Sequence, residues 1–302
     1  MIELLGSTIR LSTPLLFAAL GGLLCERTGV ATICLEGVML VAAWSAATVN
    51  FLTGNPWLGL FAGCASGALA MGLHAFLSIT ARANRIVSGV AVNILCAGIT
   101  PLLTKVLFGG TTNTPAIEMS QRFTRWEIPG LKDIPFLGSL FFSHFPLVYL
   151  AALLPLILHF WIYHTRAGLR INAAGDAPEA LATSGVSPNR IRYQAMLAGG
   201  VIASLGGVYL ATSHGSQFTR DMTAGRGFIA LTALIFGKWK PLPTFGACLI
   251  FGFADALQIQ LQGVSILGQT FPVQLIQALP YLLTLVVLVT FVGRSRPPLD
   301  LR

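Results

Sequence analysis

Residues 86–108 read IVSGVAVNILCAGITPLLTKVLF, and this stretch decides the fold class of the chain. Lys105 is its only charged residue. A helix needs about 20 consecutive apolar residues to cross the hydrocarbon core of a bilayer. Residues 86–108 are therefore predicted to span a membrane as one helix.

Apolar stretches of similar length recur along the chain. The predicted spans are 9–25, 30–53, 57–79, 86–108, 146–164, 193–213, 242–262 and 272–292. A shorter piece from Phe228 to Phe236 is interpreted either as a half-helix or as part of a tilted span entered from Gly225. The predicted fold is an all-α, polytopic transmembrane bundle of about 8–10 spans, including the short broken helix, in a single domain over residues 1–302.

The composition supports a surface that faces lipid. Hydrophobic residues make up 54% of the 302 residues and charged residues 10%, with a mean hydropathy of +0.75. A soluble domain normally carries about 25% charged residues, so too few are present to cover a water-facing surface. The net charge of +8 comes from Lys and Arg in short gaps between apolar stretches, which is typical of a membrane protein and does not indicate nucleic acid binding.

Positive charge predicts the orientation of the chain. The gaps 80–85 and 165–192 and the C-terminal tail carry Arg residues, and these segments are expected in the cytoplasm. The loop 109–145 is nearly balanced in charge and is expected outside, as a capping element, and the N-terminus is also placed outside.

Motifs for soluble catalytic chemistry are absent from the sequence. It contains no G-x-x-x-x-G-K-[ST] phosphate loop, no HExxH and no G-x-S-x-G. The five Cys residues lie in or beside apolar segments without metal-ligand spacing, so they are interpreted as small core residues. No catalytic residue and no metal site are predicted.

A few polar residues inside apolar stretches are the candidates for a solute pathway. An ionisable group in the membrane is costly and marks function or a specific partner. Arg85, Gly89 and Asn93 share one helix face, and so do Asp255, Gln258 and Gln262. The pathway candidates are Glu36, Ser88, Asn93, Arg226, Asp255 and Gln258. The alternative for each is hydrogen bonding between helices, and for Glu36 a pairing with Arg27 or another helix.

The cytoplasmic loop 165–192 contains a candidate docking element for a soluble motor domain. Asp176 is predicted to cap a helix of about two turns, with Pro178 in its first turn and Glu179 near its positive end. Gly185 is predicted to end this helix, and Ala180 leaves room for close approach by a partner. The candidate coupling residues are Gly175, Asp176, Pro178, Glu179, Ala180 and Gly185. The alternative is an ordinary solvated loop helix.

Four of these segments together resemble a known family. They are GVATICLEGVML at 29–40, NRIVSGVAVN at 84–93, GDAPEA at 175–180 and GRGFIALTALIFGKW at 225–239. In this order they resemble the permease family of ABC importers that includes ribose, branched-chain amino acid and nucleoside transporters, and most closely its nucleoside and simple-sugar subgroup.

The resemblance implies a non-enzymatic permease subunit of an ATP-binding cassette importer, most simply for nucleosides, with a simple sugar as the alternative. It implies an ABC ATPase subunit that uses the ATP, a second homologous permease subunit in a heterodimer, and a periplasmic or lipoprotein substrate-binding protein. It places the chain in a bacterial plasma membrane, with no cofactor of its own. Two other interpretations compete with this one. The chain could be a secondary transporter or channel, or a membrane enzyme or scaffold, but no motif supports either.

Overall fold

The computed structural model describes residues 2–127 and 143–262, the backbone of 265–266 and 269–270, and residues 298–299. Within these residues, seven helices are long and apolar enough to cross a membrane, and an eighth apolar helix is shorter. This confirms the all-α, polytopic membrane bundle.

Ten α-helices follow one another along the described residues. They are α1 (Ile2–Arg27), α2 (Leu35–Thr53), α3 (Pro56–Ala75), α4 (Arg85–Leu107), α5 (Pro146–His164), α6 (Arg166–Asp176), α7 (Pro178–Thr183), α8 (Pro188–Tyr209), α9 (Arg226–Phe236) and α10 (Pro241–Leu261). A wider π-helical turn continues α3 over Phe76–Thr80 and α8 over Leu210–His214. Two antiparallel pairs of two-residue strands join β1 (Trp126–Glu127) to β2 (Ser143–His144) and β3 (Ser265–Ile266) to β4 (Gln269–Thr270).

The predicted spans agree with these helices to within a few residues, with four qualifications. The span predicted over 9–25 starts seven residues earlier, at Ile2. The span predicted over 30–53 begins as a helix only at Leu35. The span predicted over 193–213 starts earlier, so Arg190 and Arg192 belong to α8 and not to the loop. The span predicted over 272–292 lies outside the described residues.

α1 is the central helix of the bundle. Every residue from Leu11 to Glu26 is buried, so this helix is covered on all sides. A helix that is apolar all round is stable in such a position, because no face of it needs contact with water. α1 packs against α8 and α10 along most of its length and against α9 near its C-terminal end.

Glycine allows the central helices to approach each other closely. A Cβ atom on Gly199 of α8 would lie 2.5 Å from the Gly21 carbonyl oxygen of α1, and one on Gly207 would lie 2.0 Å from that of Met39 in α2. A Cβ on Gly67 of α3 would likewise lie too close to the Ser204 side chain of α8. Small residues of α3 and α8 thus form close contacts between helices.

The outer face of α4 is apolar and exposed. Val87, Ile94 and Leu102 lie along it, with 66%, 68% and 59% of their surfaces accessible. Gly98 on this helix has no atom within 4 Å of an added Cβ. An apolar exposed face of a membrane-spanning helix suits contact with lipid.

Gly207→Ala is expected to destabilise the protein, because the new methyl group would overlap the α2 backbone, which has no flexible side chain to move aside. Overpacking of a close-packed core costs roughly 1–3 kcal/mol. Gly98→Ala is the matched control, since it adds the same methyl group to another membrane helix in open space. The apparent thermal midpoint in detergent should fall for Gly207→Ala and stay at the parent value for Gly98→Ala; equal midpoints for the two variants would contradict this packing.

Candidate functional site

The segment 28–34 joins α1 to α2 without being helical, and it lies within the bundle. A Cβ on Gly22 would lie 2.9 Å from the Leu35 side chain, so α2 begins beside a residue five positions before the end of α1. α2 therefore starts alongside the last turns of α1 and not beyond its end.

Side chains from four helices bind the backbone of this segment. Arg192 donates to the Thr28 carbonyl (3.2 Å), Arg85 to the Gly29 carbonyl, His74 to the Ala31 carbonyl (2.9 Å) and Asn93 to the Ile33 carbonyl (2.8 Å), while Glu26 accepts from the Thr32 amide (3.2 Å). Because lipid offers no hydrogen bonds, non-helical backbone at membrane depth is stable only when protein or trapped water satisfies it.

The face of α4 that the sequence predicts is the face that holds this segment. Gly89 contacts Ile33, while Arg85 binds the Gly29 carbonyl and Asn93 binds the carbonyl of Ile33 itself. The Asn93 side-chain oxygen also accepts from the Gly37 amide at 2.7 Å, in the first turn of α2. Asn93 therefore acts as an interhelical hydrogen-bonding residue, which is one of the two roles considered for it.

Ser88 belongs to the same arrangement. Its hydroxyl lies 2.9 Å from His74 Nδ1, and His74 Nε2 donates to the Ala31 carbonyl. Since that carbonyl can only accept, Nδ1 carries no proton in the neutral ring and Ser88 donates to it. Ser88 thus orients the histidine and is 4% exposed.

Glu36 joins α2 to the start of the short helix α9. Its Oε1 accepts from the Gly225 amide at 2.8 Å and its Oε2 from the Gly227 amide at 2.6 Å. Amides at a helix N-terminus have no partner within the helix and carry the positive end of its dipole. Both carboxylate oxygens are therefore used to cap α9, and the partner of Glu36 is this helix and not Arg27.

The two glycines beside Arg226 make this contact sterically possible. Gly225 adopts φ = +80°, a left-handed conformation that residues with a side chain rarely adopt. A Cβ on Gly227 would lie 2.4 Å from the Glu36 amide nitrogen. A side chain at position 227 would require the α2 backbone to move, and one at position 225 would strain the backbone.

α9 is a half-helix, as one of the two sequence interpretations states. It has 11 residues and is about 16 Å long, too short to cross a core of about 30 Å. It begins beside Glu36 in the interior and ends at Phe236, with Gly237 as its C-cap. Trp239, which follows, is bonded to Glu26 and Arg27 at the C-terminal end of α1.

The chain reaches the half-helix through the irregular segment 215–225. Its outer part pairs with the described portion of the predicted external loop, since the Thr114 amide donates to the Phe218 carbonyl (3.0 Å) and the Ile117 amide to the Ser216 carbonyl (2.7 Å). Its inner end is the Gly225 amide at Glu36. Segment 215–225 and α9 together therefore connect the two sides of the bundle.

Arg226 lies at the mouth of the half-helix. Its Nη1 donates to the Met222 and Thr223 carbonyls at 3.3 and 3.4 Å, and its buried Nε has no hydrogen-bond partner in the part of the chain that the structure describes. The guanidinium exerts its electrostatic field on Asp255 of α10 and on His214. No ion pair within 4 Å joins Arg226 to Asp255 in the described residues, and both side chains lie partly exposed.

The remaining pathway candidate, Gln258, lies partly buried one turn beyond Asp255, and Gln262 is exposed at the end of α10. On α9, Phe228 is 47% exposed and Thr232 lies one turn further, with its hydroxyl bound to the Phe228 carbonyl at 3.0 Å. The structure brings Glu36, Asn93 and Arg226 together around the N-termini of α2 and α9, while Asp255 lies on α10 within the electrostatic field of Arg226. It places Ser88 at His74.

The coupling segment differs from its prediction. Asp176 does not cap a helix but is the last residue of α6, and Ala177 separates α6 from α7. The residue before a proline disfavours the helical conformation, so Ala177 at φ = −149° breaks the chain ahead of Pro178. Gly185 ends the segment as expected, at φ = +83°. Glu179 and Ala180 are exposed, whereas Gly175 is buried.

Three residues that hold the site were not among the sequence candidates: Glu26, His74 and Arg192. Glu26 is 5% exposed and His74 is fully buried, and each lies in an apolar helix. The signal available in the sequence was an ionisable residue inside a span, which is the criterion that identified Glu36.

Glu36→Gln is expected to weaken the join between α2 and α9. The new amide retains one acceptor oxygen, but its NH₂ group faces a second backbone N–H. The negative charge that interacts with the positive end of the α9 dipole is also lost. Hydrogen bonds to charged groups contribute about 1.5–3 kcal/mol each. The variant should show a lower thermal midpoint and reduced transport, while Glu118→Gln, at an exposed carboxylate, should match the parent. Parent-like behaviour of Glu36→Gln would exclude the capping role.

Comparison with known proteins agrees with this architecture. Residues 4–291 match the family described as branched-chain amino acid transport system / permease component. The guanosine ABC transporter permease protein NupQ of Bacillus subtilis (strain 168) is 38% identical over 302 residues, covering 97% of this chain and 92% of the relative.

Two further relatives are similar over most of their length. The nucleoside ABC transporter permease protein NupC of Lactococcus lactis subsp. cremoris (strain MG1363) is 32% identical, covering 95% of this chain and 91% of the relative. The putative glucose ABC transporter permease protein TsgC13 of Haloferax volcanii is 36% identical, covering 87% and 79%. The chain, a multi-pass membrane protein and not an enzyme, belongs to the permease family of the branched-chain amino acid transport system.

Proposed function

We propose that this chain is the membrane-spanning permease of an ABC importer that carries uncharged nucleosides. The relatives named for guanosine and for nucleosides support the substrate class. The observation that carries the proposal is the use of both Glu36 oxygens at the N-terminus of α9.

The capped half-helix argues for a solute without negative charge. In transporters with discontinuous helices, the positive end of a half-helix often binds an anionic group of the substrate, such as a carboxylate. Here a protein carboxylate already occupies that end. A solute that brought a second carboxylate or a phosphate close to Glu36 would meet like charge. This favours nucleosides over amino acids and nucleotides, although the family description names amino acids.

Arg226 and Asp255 supply complementary groups beside the half-helix. Arg226 is a hydrogen-bond donor with an unused Nε, and Asp255 is an acceptor within its field. A guanine base presents the N7 and O6 acceptors that arginine binds, and ribose presents hydroxyl donors for a carboxylate. We propose that these residues contact the solute during passage, with Gln258 one turn further along α10.

A simple sugar is the second candidate. A relative named as a glucose permease is 36% identical, and a sugar is uncharged and rich in hydroxyl groups. The same pair of side chains would serve it, and the capped half-helix excludes neither solute.

The segment α6–α7 is the proposed docking site for the ABC ATPase that supplies energy by using ATP. Leu181 is buried with Ile171 and Ile191, which fixes α7 to the bundle. Ala180 and Ala182 are exposed on the same short helix, so a partner can approach closely. Glu179 and Asp176 add exposed carboxylates.

The complete importer would contain further subunits. We propose a second, homologous permease subunit, a separate periplasmic or lipoprotein substrate-binding protein, and a location in a bacterial plasma membrane with α6–α7 in the cytoplasm. These proposals follow from the resemblance to ABC permeases and from the distribution of Lys and Arg.

Uptake by cells that lack the importer genes, complemented with the complete set, tests the proposal. Labelled guanosine, glucose, leucine and guanosine monophosphate are compared. We expect saturable guanosine uptake and none of leucine or of the nucleotide, because the last two would bring a carboxylate or a phosphate group close to Glu36. Uptake of glucose alone would support the sugar candidate, and uptake of leucine or the nucleotide would contradict the substrate class.

Ala180→Arg distinguishes an ABC importer from a secondary transporter or channel. Burying an unpaired cation in a tight contact costs several kcal/mol, enough to lower complex occupancy by well over about tenfold. The variant should insert normally, lose the ATPase on purification and abolish uptake. Thr53→Arg is the control and should leave uptake unchanged. Thr53 is exposed and lies at the opposite end of α2 from Glu36. Full uptake by Ala180→Arg without bound ATPase would favour a secondary transporter.

A further inference from the structure

The C-terminal end of α1 is the meeting point of the coupling segment and the half-helix. Arg27 donates from Nη1 to the Asn172 side-chain oxygen of α6 at 2.9 Å. The same guanidinium donates from Nε and Nη2 to the Trp239 carbonyl at 2.8 and 2.6 Å, three residues after α9 ends. One planar cation thus bonds both elements, and its geometry suits two such contacts at once.

Glu26 secures the other side of Trp239. The buried carboxylate accepts from the indole Nε1 at 2.7 Å through Oε2, and its Oε1 binds the amide and hydroxyl of Thr32 at 3.2 and 3.3 Å. Trp239 is therefore held by its carbonyl and by its ring, through two adjacent residues of α1. The same carboxylate connects it to the segment that leads into α2.

The coupling segment contacts this point through backbone as well. A Cβ on Gly175 would lie 2.3 Å from the Arg27 carbonyl oxygen, so the end of α6 touches the turn after α1 directly. Arg192 donates to the Ala174 carbonyl at 3.1 Å and to the Thr28 carbonyl at 3.2 Å, which bridges the two. Because these contacts are close-packed, α6 and the turn after α1 are expected to move together.

Backbone strain marks the same place. Lys238 and Trp239 have φ values of +52° and +53°, two consecutive residues with side chains in the left-handed region. Such residues cost of order 1 kcal/mol or more each and persist only where surrounding contacts fix them, often at functional positions. The bonds from Glu26 and Arg27 are those contacts.

We propose that Glu26, Arg27, Asn172 and Trp239 form an interlock that transmits movement of the coupling segment to the half-helix. Displacement of α6 pulls on Arg27 and Trp239, which shifts α9 and its capped end at Glu36. Arg27 and Trp239 are positioning residues in this scheme, since they act on the solute only through α9. The inference rests on the proposed function, in which an ATPase drives α6–α7.

Two substitutions test the interlock in the purified complete importer, reconstituted in liposomes. Trp239→Phe removes the indole donor and retains an aromatic ring. Asn172→Ala removes the acceptor on α6, at a partly exposed position where folding is least affected. ATP hydrolysis and solute transport are measured together, because their ratio reports transmission and not assembly. We expect both variants to retain the ATPase and hydrolyse ATP, but to move about tenfold less solute per ATP, the scale of one lost hydrogen bond to a charged group.

Two controls complete the experiment. Asn172→Asp keeps the acceptor for Arg27 and should restore the transport-to-hydrolysis ratio. Trp57→Phe changes a 57% exposed tryptophan at the start of α3 and should match the parent. An unchanged ratio in both Trp239→Phe and Asn172→Ala, with normal transport by the parent, would overturn the interlock alone, even if thermal stability fell. A parent complex without ATP-dependent transport would overturn the proposed function, and the interlock with it.

Discussion

Hydrogen bonding of non-helical backbone within the bundle is the constraint on which the rest of the structure depends. Segments 28–34 and 215–225 interrupt the helices, and lipid offers their peptide groups no partner. Side chains of α1, α3, α4 and α8 bind the first segment, and Glu36 binds the inner end of the second. Several of the ionisable and amide side chains within the bundle serve these segments, because donors and acceptors are needed there.

This arrangement has a consequence for transport. A chain that needed only to cross the membrane could use continuous helices, which satisfy their own backbone. Here the N-termini of α2 and α9 meet in the interior, and a single carboxylate neutralises the exposed end of the half-helix. The positive end of the dipole is thereby unavailable to a solute anion, while Arg226 and Asp255 beside it offer hydrogen bonds to a neutral one.

Helical periodicity and length were enough to predict the local features. They predicted the spans that lie within the described residues and the shared face of Arg85, Gly89 and Asn93, and they gave the half-helix as one of two interpretations, because each depends on residues close in sequence. Helical periodicity could not predict which residues contact each other over long sequence distances. Ile33 lies 60 residues from its partner Asn93, and Gly227 lies 191 residues from its partner Glu36. The capping role predicted for Asp176 was wrong for a local reason: Pro178 moves the break to Ala177, and Asp176 ends the preceding helix.

Thiol accessibility along α9 tests the central claim, that the half-helix lines the solute path while the outer face of α4 meets lipid. Single cysteines replace Thr232 and Ile94 in a chain whose native cysteines are substituted, and each reacts with a membrane-impermeant thiol reagent in the complete importer. The account predicts that Thr232→Cys is modified and that a transported nucleoside slows its modification, while Ile94→Cys does not react. Nucleoside-sensitive modification of Ile94→Cys together with an unreactive Thr232→Cys would contradict it.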